Sequence, residues 1–155
     1  MNKSYHKEIL YIALPSILSN ITVPLLGLID LTIAGHLGAA SYIGAIAIGS
    51  TIFNMIYWIF AFLRMGTSGM TSQAYGADNK QEIQLLLYRS LATSTGIAIL
   101  ILLLQGPLLH LALSVMSPTK AVADFASIYF RICVWGAPAV LGLYSLTGWF
   151  IGLQN

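Results

Sequence analysis

Charged side chains are the scarcest class in this sequence. They make up 8% of its 155 residues, while 57% are hydrophobic; a soluble domain carries about 25% charged residues. A soluble domain of this length has too little interior to hide so much apolar surface, so the chain reads as an integral membrane protein. The formal net charge of +2 and the lack of a basic patch leave no case for a nucleic-acid partner. A single cysteine, Cys133, excludes an internal disulfide and a CxxC pair; inside a span it reads as a small apolar packing residue. No Walker A, HExxH or GxSxG pattern is present. The three histidines are scattered, and His36 and His110 read as interfacial rather than metal-binding. Glu8, Asp30, Asp78, Glu82 and Asp124 fall on the ends or loops of different spans, so no acid–base pair converges and an enzyme is not expected. There is no internal repeat or low-complexity tract.

What the sequence does have is long apolar runs, and the first is the most informative. Residues 9–34 are almost unbroken apolar sequence, long enough to cross a hydrocarbon core of about 30 Å at about 1.5 Å per residue. Lys3 and Lys7 precede it, but the run is too long for a signal-peptide core and reads as a retained first span. Pro15, Pro24 and Asp30 lie inside it, and a simple anchor needs none of them. At 100° per residue Ser16, Ser19, Asn20, Gly27, Asp30 and Ala34 share about one third of the circumference. Pro24 has no N–H, so the Asn20 carbonyl loses its helical donor on the face that carries Asp30. A carboxylate in a span is costly and is a functional hypothesis by default. The alternative is an interfacial Asp30 near the end of an ordinary span, since Thr32 and His36 follow closely.

Three further spans are expected. The second covers about residues 43–72 as one long, tilted helix after a turn over residues 35–42; Gly44, Ala47, Thr51, Asn54 and Ala61 share one face, on which Asn54 can bond across a helix contact. The third, about residues 87–113, is Leu- and Ile-rich, is broken by Gln105-Gly106-Pro107 and is expected to face mostly lipid. The fourth, about residues 125–153, holds Arg131, a Gly136-Ala137-Pro138 break and a small-residue face of Gly142, Ser145, Gly148 and Gly152. Residues 74–84 and 117–125 read as the intervening polar loop and turn. Lys3, Lys7, Lys80 and Arg89 fall on one side of this arrangement, and Lys120, with Arg131 nearby, on the other. By the positive-inside rule the N-terminus is cytoplasmic. The three Trp and eight Tyr suit interfacial belts or a substrate cavity.

Several stretches together resemble one family. They are Pro15; Val23-Pro24-Leu25-Leu26-Gly27; Asp30; Gly35-His36-Leu37-Gly38; Arg64-Met65-Gly66-Thr67-Ser68-Gly69 with Gln73-Ala74-Tyr75-Gly76-Ala77; and Trp135-Gly136-Ala137-Pro138 with Gly148-Trp149-Phe150-Ile151-Gly152-Leu153-Gln154. In order, they resemble the N-terminal portion of a multidrug and toxic-compound extrusion (MATE) transporter, closer to its DNA-damage-inducible F branch. The resemblance implies twelve spans in two six-helix lobes. It also implies export of small organic, often cationic, compounds against protons or sodium ions, with no cofactor beyond that coupling ion. Asp30 matches the first-span aspartate implicated in cation coupling, and Pro15 the proline associated with helix bending. Four spans then correspond to part of one lobe, in the cell membrane, and the chain is expected to be a fragment whose remaining transporter helices are missing.

Four other residues stay open between two roles. Arg64 either pairs with a carboxylate inside the bundle or snorkels to the cytoplasmic interface. Gly148 either packs helices or touches substrate. Tyr144 lines an aromatic cavity for cations or faces lipid, and Asn54 bonds across a helix contact or faces a cavity. A different class of function, a small four-helix membrane scaffold or assembly subunit, would use Asp30 as a contact between subunits.

Overall fold

The computed structural model describes residues 40–154 and, ahead of them, residues 21, 25, 27–29, 32, 33, 35 and 36, all of these nine helical. Most of the expected first span, including Pro15, Asn20, Pro24 and Asp30, lies outside the described residues. From Ala40 onward the chain is α1 (Ala40–Ile59), α2 (Phe62–Gly76), α3 (Lys80–Leu103), α4 (Gln105–Met116), α5 (Lys120–Cys133), a 3-10 turn (Val134–Gly136) and α6 (Ala137–Gly152). Among the described residues there is no strand. Among them, three helical segments are long and apolar enough to cross a membrane: Ala40–Gly76, Lys80–Leu103 and Lys120–Gly152.

Hydropathy marks the apolar core of each span, whereas backbone hydrogen bonding marks the helix, and the two differ at the ends. Ala40 and Ser41 already belong to α1, and Gly35 and His36 are helical, so the expected turn over residues 35–42 is narrower. α3 begins at Lys80 rather than near residue 87, because Asn79 caps it: its side-chain Oδ1 accepts the Glu82 N–H at 3.1 Å, with Glu82 in the third helical position. The loop before it shrinks to residues 77–79, where Asp78 takes a left-handed φ of 50° that a short polar side chain tolerates. α5 begins at Lys120 rather than near residue 125. The turn ahead of it is residues 117–119, with Ser117 left-handed at φ 44° and Thr119 extended.

The segments Ala40–Gly76 and Lys120–Gly152 are each interrupted, and Lys80–Leu103 is cut off from the helix that follows it. Pro138 removes the N–H that the Val134 carbonyl would use, and Ala137 donates to Val134 instead, giving the expected break as a 3-10 turn. Pro107 likewise leaves the Leu103 carbonyl without its helical donor, and α3 stops there. The break between α1 and α2 was not expected. Ala61 N–H donates to the Trp58 carbonyl at 3.2 Å and Leu63 N–H to Phe60 at 3.0 Å, three-residue spacings that tighten the helix. Neither proline nor glycine marks that place.

The second and fourth segments run parallel, as alternate spans must. Tyr42 meets Phe125 in a tilted ring contact with centroids 4.5 Å apart, and Phe53 stacks on Phe130 at 5.0 Å and 13°. Further along, α2 lies on α6 through Thr67 against Gly148 and Thr71 against Gly152. α3 runs the other way, with Ile83 beside Trp149 and Ser90 beside Ser145. The aromatic pair joins Ile52, Ala98, Ile101, Leu109, Val134 and Leu141 in one apolar core.

Candidate functional site

Two kinds of packing hold the bundle. Around α1 and α5 it is aromatic and aliphatic. Where α2, α3 and α6 meet, the buried side chains are small and polar: Thr67, Thr71, Ser90, Ser94 and Ser145. There the backbones approach closely because Gly148 and Gly152 face α2. A Cβ on Gly148 would stand 2.5 Å from the Arg64 carbonyl oxygen, and one on Gly152 2.5 Å from Thr71 Cβ. Two cross-helix hydrogen bonds tie α6 to α3: Ser145 Oγ donates to the Ser90 carbonyl at 3.1 Å, and Trp149 Nε1–H to the Ile83 carbonyl at 3.0 Å. In lipid, where apolar surface gives helices no preference for one another, such close contacts and hydrogen bonds drive association. The Thr71 hydroxyl in this seam is buried without a hydrogen-bond partner among the described residues.

The structure places several of the open residues. Gly148 is buried in the α2–α6 contact. Gly142, placed on the same small-residue face, has nothing within 4 Å of a would-be Cβ and lies outside the close contact. Arg64 is exposed on the first turn of α2, where the apolar run of α1 ends, and its backbone, not its guanidinium, meets Gly148. The ion pair found among the described residues is Arg89 to Glu82 at 3.1 Å. Tyr144 is half-buried and packs with Tyr57 and Cys133 at the edge of the apolar core. Asn54 is exposed along with Ala47 and Thr51, and α1 packs with a different face, Ala45, Gly49, Ile52 and Phe53. Of the expected small-residue face of the second span, Gly44 meets Val122 of α5, whereas Ala47, Thr51 and Asn54 lie off the contacts made among the described residues. Gly49, which lies under the ring of Tyr129, belongs to that contact and was missed.

The third span was expected to face mostly lipid, and much of α3 is exposed, but it buries a stripe of Leu86, Ser90, Ser94, Ala98 and Ile101. The signal was present: small or polar residues four apart, Ser90, Ser94 and Ala98, inside a Leu-rich helix. Grooves among the described residues open on the bundle surface. One, of about 310 Å³, lies between α1 and α4 and is apolar, with Thr51, Met55, Leu111 and Met116 in its wall. Another, of about 250 Å³, lies between α2 and α3, with Phe62, Gly66, Met70, Leu86 and Arg89 in its wall. Among the described residues no group of three His, Cys, Asp or Glu side chains could hold a metal ion.

Comparison with known proteins gives a consistent result. A family model described as MatE matches residues 15–155. The chain is 42% identical to DNA damage-inducible protein F of Escherichia coli K12 over 97% of this chain and 33% of that protein. It is 26% identical to a probable multidrug resistance protein NorM of Acinetobacter baylyi, over 92% of this chain and 31% of that protein. A second such NorM, of Shewanella oneidensis, is 27% identical over 96% and 32%. The chain thus spans about a third of the length of the curated relatives it matches. No solved structure matches significantly.

Proposed function

The chain belongs to the MatE family, and from that premise we propose that it is part of a secondary transporter. This transporter exports small organic compounds, cationic ones among them, across the cell membrane in exchange for a proton or a sodium ion. The observation that carries the proposal is the family match over residues 15–155, together with relatives whose names specify multidrug resistance. It favours a transporter over a self-contained scaffold and over an enzyme. In this reading residues 9–34 add a fourth span to the three apolar helical segments, the N-terminus is cytoplasmic, and helices beyond these complete the transport path.

Asp30 carries the coupling ion. A carboxylate on a partly dehydrated helix face favours its neutral form, so it can take a proton from one side and release it on the other. A cationic substrate and a proton competing for one carboxylate give antiport directly. Asn20 and the carbonyl freed by Pro24 supply hydrogen bonds that differ between the two protonation states, and with Asp30 they supply oxygens that suit sodium. Pro15 and Pro24 let the helix bend between those states.

The test is substrate efflux and proton flux measured together in proteoliposomes of the complete transporter. Asp30→Asn keeps size and hydrogen bonding but cannot titrate, so coupled export should be abolished or greatly weakened at near-normal expression. Ser16→Ala, on the same face, should cost much less, and Asn20→Ala should fall between. Ion-coupled export at the parental rate in Asp30→Asn sinks the proposal.

A further inference from the structure

The groove between α2 and α3 has a rim and a floor of different chemistry. Its floor is Phe62, Leu63, Met70 and Leu86, and its polar edge is Arg89 with Thr93 one turn further along the helix. Nothing lies within 4 Å of a would-be Cβ on Gly66 or Gly69, so the α2 side of the groove is open. The side chains around this end of the bundle are those that sit at a membrane–water boundary. Tyr75 and Tyr88 are exposed, Trp149 points its N–H at the Ile83 carbonyl, and Lys80 opens α3. Arg89 is therefore at headgroup depth, with the apolar floor beside it.

We propose that this groove binds one anionic phospholipid, with an acyl chain along the Phe62–Met70–Leu86 floor and the phosphate on Arg89. Charge and shape both select this occupant. The Arg89 guanidinium is 65% exposed and uses Nη1 for Glu82 at 3.1 Å. Of five N–H donors in a fixed fork, those on Nη2 and Nε remain for a phosphate, which arginine binds well. A narrow apolar strip of about 250 Å³ beside that guanidinium suits a slender acyl chain that carries a phosphate at its end. The side of the membrane that the Lys and Arg distribution makes cytoplasmic is also the one rich in anionic lipid. Glu82 is the built-in opponent: it holds the guanidinium in place and offsets its charge, so it tunes lipid affinity downward.

The proposal is independent of transport and is tested on the complete protein in mild detergent. Thermal unfolding and native mass spectrometry are run with graded phosphatidylglycerol, with phosphatidylcholine of the same acyl chains, and with water-soluble glycerol phosphate. Phosphatidylglycerol should raise the unfolding midpoint and give a one-lipid adduct, while the other two leave both unchanged. Arg89→Gln should weaken phosphatidylglycerol binding about tenfold or more, the loss of one charge-assisted contact. Glu82→Gln, which leaves the Asn79 cap on the backbone N–H intact, should strengthen it. Met70→Trp, which fills the floor, should abolish the adduct and provides a second reading should Arg89→Gln fold poorly. Equal binding of phosphatidylcholine overturns the proposal, as does an effect of glycerol phosphate alone. Undiminished phosphatidylglycerol binding in Arg89→Gln or Met70→Trp, or no gain in Glu82→Gln, does the same.

Discussion

The same substitution, glycine to alanine, should have opposite signs at two positions of α6, six residues apart. At Gly148 the new Cβ stands 2.5 Å from the Arg64 carbonyl oxygen and 3.1 Å from Arg64 Cα and Thr67 Cβ. Close carbon–oxygen contacts settle at about 3.3–3.6 Å, so α2 and α6 must separate by roughly 0.8–1.1 Å. The obstructing atoms are mainly backbone, which cannot rotate away. Overpacking costs about 1–3 kcal/mol, and against immovable backbone the upper half, about 2–3 kcal/mol, applies, offset by a gain in helix propensity of about 0.8–1.0 kcal/mol. At Gly142 a Cβ meets nothing within 4 Å, so only the propensity gain acts. Gly148→Ala should therefore lose about 1–2 kcal/mol net and Gly142→Ala should be neutral or slightly stabilised.

Reversible unfolding of the protein in mixed micelles, titrated with a denaturing detergent, measures both variants on one scale. Gly152→Ala, whose Cβ would stand 2.5 Å from Thr71 Cβ and 2.8 Å from the Ser68 carbonyl oxygen, should follow Gly148→Ala. A Gly148→Ala protein as stable as the parent would refute the claim that the α2–α6 contact is a close backbone approach. A Gly142→Ala loss as large as that of Gly148→Ala would show that glycine on α6 serves something other than that contact.

Two further outcomes follow from the inner seam and the loops. Thr71→Val keeps the shape against Gly152 but removes a buried hydroxyl that lacks a partner, so the same titration should show no loss and a gain of up to about 1–2 kcal/mol; a clear loss would mean the hydroxyl has a partner in the working protein. In a Cys133→Ser background, a cysteine placed at Lys80 should react with a membrane-impermeant reagent only from the cytoplasmic side and one at Thr119 only from outside; the reverse pattern would overturn the orientation.

How much of this was legible in the sequence depended on what each signal measures. Hydropathy located the second, third and fourth apolar segments, because burial in lipid selects residues along a whole span. It misplaced their ends, since Asn79, Glu82 and Lys120 are poor lipid residues but serviceable in helix caps and first turns. Breaks caused by Pro107 and Pro138 could be read directly, because a missing N–H is written in the residue itself. The break after Ile59 could not: it is a change of hydrogen-bond spacing among aromatic residues, set by packing. Small-residue faces were ambiguous for the same reason. Gly148 and Gly152 do face a neighbour, whereas Ala47 and Thr51 do not, and nothing local to α1 distinguishes its two glycine- and alanine-bearing faces.

If the protein transports as proposed, the packing of the second and fourth segments bears on which part of it moves. They run parallel and are joined along their length, by Phe53 stacked on Phe130 and by Gly148 and Gly152 on α2. Sliding one along the other would break a ring stack at one end and drive side-chain or backbone atoms into glycine positions at the other. Interfaces packed this closely are bistable rather than continuously deformable. On the proposed transport reading these two segments should therefore act as a frame, and the bending proposed to couple ion to substrate would fall to the first span with Pro15 and Pro24. A cross-link tests this. An ideal Cβ on Gly44 lies 3.3 and 3.4 Å from the two Val122 methyls, so the two side-chain positions face each other across the contact, as a disulfide with its Cβ atoms about 3.5–4.5 Å apart requires. Gly44→Cys with Val122→Cys, in a Cys133→Ser background, should oxidise readily, and export by the complete transporter should continue at close to the rate of the reduced form. Export that stops on oxidation and returns on reduction would show that the second and fourth segments shift against each other in the cycle, and the frame would have to be sought elsewhere.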